Sequence, residues 1–180
     1  MRRLVLTLLC GLFVVPAVAL ASPRTTGDGV LELQSVDGAV TIGTSYAQPA
    51  KGALWGQMDS GRLIVFDPVV GDGNVYVSGW ESKGSWPTPE DYPNATVYRG
   101  TNLHFRVTGG KYRLAFLGKG IDLTAVGVGT AWLNGDSSED SAGQYALDSG
   151  KWLQVPQLPT VSKLGVPVTF GTQSTQQTSP

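Results

Sequence analysis

The residue types best suited to chemistry are concentrated in one segment, Gly79 to Ala95, with the sequence GWESKGSWPTPEDYPNA. Its aromatic side chains offer flat faces on which pyranose rings can stack: Trp80, Trp86 and Tyr92. Its carboxylates lie beside them in the chain: Glu81, Glu90 and Asp91. Two carboxylates at a fixed gap can cleave a glycosidic bond, one as acid and the other as base or nucleophile. We therefore take this segment as the candidate ligand site, with sugar binding as its first chemistry and hydrolysis as the alternative.

Other catalytic patterns are missing from the sequence. His104 is the only histidine, and it falls in the alternating run Leu103 to Val107, where it shares a face with Arg106 opposite the apolar residues. We interpret it as a solvent-facing strand residue. No nucleophile elbow, zinc-protease motif or phosphate loop occurs. Asp122, and a rival acidic cluster at 136–140, lack the spacing of a calcium loop. The sequence thus predicts no catalytic residue, metal or cofactor.

The segment 1–21 predicts where the chain works. Arg2 and Arg3 precede an apolar run over 4–15, Pro16 interrupts it, and Ala19-Leu20-Ala21 supplies small residues for cleavage before Ser22. This is the layout of a secretory signal peptide, with an uncleaved membrane anchor as the alternative. We expect a secreted protein, extracellular or in the periplasm or cell envelope, with no membrane span after cleavage.

Charge and cysteine content narrow the class of protein. Removing residues 1–21 leaves 11 Lys and Arg and 14 Asp and Glu, a formal charge of 11 − 14 = −3. Such a chain lacks the basic surface that nucleic-acid binding needs. Cys10, the only cysteine, lies within the signal peptide, so the mature chain has neither a disulfide nor a catalytic thiol.

The pattern of the remaining chain predicts an all-β domain over 29–170, between a flexible entry (22–28) and a disordered polar tail (171–180). Short alternating apolar runs are separated by Gly-based turns. An antiparallel β-sandwich is favoured, because Leu103–Val107 and Tyr112–Phe116 predict a hairpin across Gly109-Gly110. The alternative is a β-solenoid-like stack of short strands, since glycines recur at short intervals from Gly29 to Gly73. Pro167 places the last run at a sheet edge.

One block carries a resemblance to other proteins. Phe105-Arg106-Val107, Gly109-Gly110 and Tyr112-Arg113 are followed by GKGIDLTAVGVG over 118–129. This pattern resembles a segment of uncharacterised secreted bacterial β-rich proteins, and the similarity runs from about Gly52 to Leu133. The resemblance implies a shared fold and no particular activity.

The sequence therefore favours a secreted, non-enzymatic β domain, extracellular or envelope-associated, with a structural or binding role. The alternative is a carbohydrate-binding module or, less favoured, a glycoside hydrolase that uses the carboxylates of the 79–95 segment. The expected partner is a polysaccharide or another component of the cell envelope. The oligomeric state stays open.

Overall fold

The computed structural model describes residues 27–43, 48–67, 69, 71–85, 95–138, 141–158 and 165–172. All regular elements in these ranges are β-strands, so the all-β prediction is confirmed. The strands are β1 (Gly29–Ile42), β2 (Ala50–Phe66), β3 (Val75–Ser78), β4 (Ser82–Ser85), β5 (Thr96–Asp136), β6 (Gly143–Leu147), β7 (Leu153–Gln154), β8 (Gln157–Leu158) and β9 (Val166–Phe170). They form a single large antiparallel sheet. The described part of the chain contains no helix that could cross a membrane.

The sheet is coiled, and the register of β2 shows it. Ala50 pairs with Tyr112, while Phe66, at the other end of β2, pairs with Arg113. A straight strand of the length of β2 would span about 55 Å. Its ends, however, lie beside two consecutive residues, so they are within about 15 Å of each other. Strand β2 therefore bends round one full turn.

The same register gives the number of residues in one turn of the coil. Leu63 pairs with Tyr98 on one side and with Phe116 on the other, so one turn of β5 runs from Tyr98 to Phe116. In β1, Val40 pairs with Phe116 on one side and with Leu133 on the other. The next turn of β5 therefore runs from Phe116 to Leu133 and has nearly the same number of residues. The partner number falls as the residue number rises within each block of pairing, so the turns of β5 run antiparallel to β1 and β2 between them. The described strands between 29 and 85 form one arm of a long hairpin, 96–136 forms the other, and the two arms are wound together.

Glycines form the corners of the coil, in two columns that cross neighbouring turns. The first column is Gly135, Gly38, Gly118, Gly61 and Gly100, and the second is Gly29, Gly127 and Gly52, next to Gly109. Gly118 has φ +149 and Gly127 has φ +141, values that L side chains rarely adopt. A Cβ at Gly118 would also overlap the carbonyl oxygen of Ser60 in the adjacent turn. Glycine is therefore required for the turns to bend and approach each other there.

Between the two columns the coil has two walls that face each other. The front wall comprises 30–37, 53–60, 101–108 and 119–126, and the back wall comprises 39–42, 62–66, 95–99, 110–117 and 130–134. Phe105 of the front wall and Phe116 of the back wall are both buried, with ring centroids 4.7 Å apart. Alternate residues of each wall point inward to one apolar core. Apolar burial between the walls is thus the main stabilising term of the coil.

The coil shares one feature with each predicted architecture. Its walls pack face to face, as sheets of a sandwich do, but they belong to one hydrogen-bonded sheet that passes round glycine corners, as in the solenoid-like alternative. The predicted hairpin across Gly109-Gly110 is wrong. Leu103–Val107 pairs with β2 and β3, and 112–116 pairs with β1 and β2, because Gly109 forms a corner rather than a tight turn.

Two further outcomes concern the ends of the chain. Strand β9, which contains Pro167, pairs on one side with β5 in the described residues, as expected of an edge. Thr172 donates its backbone N–H to the carbonyl of Gly27 at 2.6 Å, so the described ends meet. The predicted signal peptide, the predicted entry up to residue 26 and the predicted tail from residue 173 lie outside the described residues.

Candidate binding site

Trp80, the first of the predicted site residues, lies at the end of the coil. It is 46% exposed, and its ring centroid is 6.4 Å from that of Tyr98 in a tilted arrangement. The ammonium of Lys83 lies 5.4 Å from the centroid of the same Tyr98 ring. Because Tyr98 packs against the core, Trp80 and Lys83 cover the last turn of the coil. Trp80 thus lies beside Tyr98 and keeps nearly half of its surface exposed.

Glu81 has a structural role at the corner next to Trp80. Its carboxylate accepts hydrogen bonds from the backbone N–H of Thr101 at 3.2 Å and from the Thr101 hydroxyl at 2.7 Å. Its own backbone N–H donates to the carbonyl of Arg99 at 2.8 Å. The other predicted site residues lie outside the described residues: Trp86, Glu90, Asp91 and Tyr92. The sugar-binding role of this segment stays a prediction.

The outer surface of the front wall and of the strands β3, β6 and β7 that extend it, which we call the front face, is a second candidate. Strand register aligns its outward side chains in rows that run across the strands. The amide row is Gln154, Gln144, Gln34, Asp122, Gln57, His104 and Ser78. The aromatic row, next to it, is Glu32, Thr124, Trp55, Arg106 and Tyr76. These rows follow from the number of residues in one turn of the coil, which aligns residues one turn apart, such as His104 and Asp122.

Trp55 and Tyr76 are the exposed rings of the aromatic row. Trp55 is 37% exposed and Tyr76 is 58% exposed, and Arg106 lies on the strand between them. Two strand spacings place their backbones about 9.5 Å apart. His104 and Arg106 are exposed while Leu103 is buried, so the predicted facing of this strand is confirmed. Sequence reasoning missed Trp55 and Tyr76, although alternation with buried Leu54 would have placed Trp55 outward.

Hydrogen bonds hold part of the amide row in place. The Gln144 amide nitrogen donates to the Gln34 amide oxygen at 3.1 Å. The Ser141 hydroxyl donates to the Gln154 amide oxygen at 3.3 Å. An amide that uses one group in this way still has donor and acceptor capacity for a ligand. The row is therefore a partly ordered set of donors and acceptors.

The front face is hollowed but not enclosed. One open depression of about 510 Å³ is lined by Trp55, Arg106 and His104, and a second of about 530 Å³ by Gln34 and Lys119, among others. Both are lined by Gln57 and Asp122, so they are neighbours on the face. The charged groups of the two rows are Arg106, Glu32 and Asp122, a formal sum of 1 − 2 = −1. The surface is long, shallow and nearly neutral.

This chain matches no protein-family model, no curated protein and no solved structure. The resemblance to uncharacterised secreted bacterial proteins therefore stays a prediction.

Asp136, in the acidic cluster at 136–140, has a structural role. Its carboxylate accepts a hydrogen bond from the backbone N–H of Ser138 at 2.8 Å, and this bond lowers the pKa of Asp136. The arrangement is an Asx turn at the end of β5. In the described ranges, no three His, Cys, Asp or Glu side chains are grouped so that they could hold a metal ion.

Proposed function

We propose that this protein is a secreted, non-enzymatic module of the cell exterior or envelope that binds its ligand on the front face. The observation that carries the proposal is the exposure of Trp55 and Tyr76 in one row of the sheet. Both rings leave apolar surface in water, with Trp55 37% and Tyr76 58% exposed, and covering such surface is favourable by about 25 cal/mol per Å². Exposed rings beside an arginine are typical of recognition surfaces.

The export signal supports the location. Cleavage after Ala21 would release a chain with no cysteine. Sequencing the N-terminus of protein recovered from the medium or the envelope tests this, with Ser22 expected first. A protein retained in the cytoplasm with Met1 intact would contradict it.

The openness of the front face supports binding rather than catalysis. General acids and bases are commonly tuned by desolvation in a cleft. His104, Asp122 and Asp59 are all exposed on an open surface. Such groups suit recognition through hydrogen bonds.

Binding is tested by co-sedimentation of the mature chain with insoluble cell-envelope preparations. The wild-type chain is expected in the pellet, and a Trp55→Ala, Tyr76→Ala double variant in the supernatant, because its recognition rings are gone. Trp80→Ala, which removes an exposed ring at the end of the coil, is the matched control and should sediment like wild type. Equal sedimentation of all three proteins would contradict the assignment of the front face.

The hydrolase alternative is tested with the same preparations. We expect no release of reducing sugars during prolonged incubation. Release that disappears in Glu90→Gln or Asp91→Asn would make the protein a glycoside hydrolase. It would also return the site to the 79–95 segment.

A further inference from the structure

We infer that the ligand of the front face is a neutral, extended polysaccharide that lies along the two rows, across the strands. The inference rests on the proposed binding function and names its ligand class. Four properties of the face support it: its length, its hydrogen-bonding groups, its rings and its charge.

The length and openness of the face favour a polymer. The amide row crosses seven strands, from Gln154 to Ser78, which corresponds to about 29 Å at the usual strand spacing. Small molecules are generally bound in enclosed clefts that bury most of their surface. Here two open depressions adjoin at Gln57 and Asp122. An elongated ligand could contact both depressions at once.

The polar groups of the face match a ligand rich in hydroxyls. A hydroxyl both donates and accepts, and a glutamine side chain does the same through its two amide atoms. Four glutamines occupy the amide row: Gln34, Gln57, Gln144 and Gln154. Asp122 and Ser78 add acceptors and a further donor. Because strands repeat at a constant interval, these groups suit a ligand that also repeats.

The rings add apolar contact toward the β3 end of the front face. Trp55 lines the first depression, and Tyr76 lies two strands away in the same row. Their faces can cover the C–H surfaces of sugar rings, while Arg106 between them donates hydrogen bonds to oxygens. The rings would therefore supply affinity, and the amides would supply orientation.

The charge of the face favours a neutral polymer over an acidic one. The rows carry one arginine against Glu32 and Asp122, a formal sum of −1. A polyanion would be repelled weakly rather than attracted, since no basic stripe neutralises it. A protein ligand would favour a contiguous apolar centre, whereas exposed Trp55, Tyr76 and Val36 are separated by Arg106 and the amide row.

The experiment measures binding of the mature chain to neutral polysaccharides (glucomannan, xylan, β-1,3-glucan and soluble cellulose derivatives) and to the acidic polymers alginate and polygalacturonate. Affinity electrophoresis finds the binders, and titration calorimetry with oligosaccharides of increasing length follows. We expect at least one neutral polymer to bind and both acidic polymers to fail. Affinity should rise with length until the oligosaccharide spans the row.

Variants assign the binding to the rows. Trp55→Ala should weaken binding by about tenfold or more, and Gln57→Ala by a smaller factor. Trp55→Tyr keeps a ring and should retain most of the affinity, and Trp80→Ala should leave it unchanged. Circular dichroism and melting confirm that each variant is folded. Loss of binding in Trp80→Ala but not in Trp55→Ala would overturn the inference and move the site to the end of the coil.

The remaining outcomes separate the ligand class from the proposed function. Binding of the acidic polymers alone, lost in Trp55→Ala, would overturn the neutral-polymer inference and leave the front face as the binding surface. The same holds if no polysaccharide binds but envelope co-sedimentation still depends on Trp55 and Tyr76. If no polysaccharide binds and co-sedimentation is also independent of these rings, both proposals fail.

Discussion

Substituting Gly118 by alanine tests the coil itself, because this glycine is a corner of one column. Two costs are expected. Its φ of +149 strains any L side chain, at about 1–3 kcal/mol. The new Cβ would also overlap the Ser60 carbonyl oxygen, so the adjacent turn must move, and overpacking of this kind costs about 1–3 kcal/mol. The sum is roughly 2–6 kcal/mol, a fall in melting temperature of at least about 4 °C for a domain of this size.

Two other glycines separate these costs. Gly109 has φ +129, but its Cβ would meet no described atom within 4 Å, so Gly109→Ala carries the backbone strain without the overlap. Gly84 has neither feature, and Gly84→Ala should leave stability unchanged or slightly raised. Thermal unfolding followed by circular dichroism should rank stability as Gly84→Ala, then Gly109→Ala, then Gly118→Ala. Equal melting of Gly118→Ala and Gly84→Ala would refute the corner assignment.

Three further substitutions test the core and the end of the coil. Phe116→Ala removes a fully buried ring that packs on Phe105, so urea unfolding should show that the free energy of unfolding falls by about 3–5 kcal/mol. A fall of less than about 1 kcal/mol would mean that the walls do not pack there. Tyr112→Phe removes a buried hydroxyl with no described hydrogen-bond partner, so stability should rise by about 1 kcal/mol. Burial raises the pKa of Tyr112, so its value in the folded chain exceeds the unfolded value near 10. The wild type should therefore lose stability above about pH 10, and the variant should lose less. Urea titrations on either side of that pH check both points, and a destabilised variant would mean that the hydroxyl is paired. Glu81→Ala removes the two bonds to Thr101 and should lower stability by no more than about 1 kcal/mol, with envelope binding unchanged; lost binding would restore the 79–95 segment as the site.

The strands and their facing were predictable from alternation. In the run Leu103 to Val107 the period of two separates buried from exposed residues, and the structure keeps that separation. This information is local, because a strand buried on one face must alternate. The edge position of Pro167 was predictable for a similar reason, since proline lacks a donor.

The coil was not predictable to the same degree, because its pairings join residues far apart in sequence. Gly100, Gly109, Gly118 and Gly127 recur at equal intervals, which indicates corners at constant spacing. That spacing does not reveal that β2 runs between two turns of β5. The pair Gly109-Gly110 suits a tight turn as well as a corner, and the partners of Leu103 and Tyr112 decide between them.

The sequence directs attention to the 79–95 segment and away from the front face. A segment rich in aromatics and prolines stands out because loops often carry function. In the described structure, however, Trp80 packs on Tyr98 and Glu81 binds Thr101, so both have structural partners. The front face gains its character from register, which aligns Trp55 with Arg106 and Tyr76 from three separate stretches of chain. No local pattern contains that alignment.

The fold and the front face therefore both depend on the number of residues in one turn of the coil. One turn of the coil stacks outward side chains into rows, as with His104 and Asp122 on either side of Gln57. The same period stacks inward side chains into the core and glycines into columns. Since side chains alternate between the two faces, a change of register by one residue would exchange the core set with the row set. The core thus fixes the register, and the register fixes which groups the front face presents to a ligand.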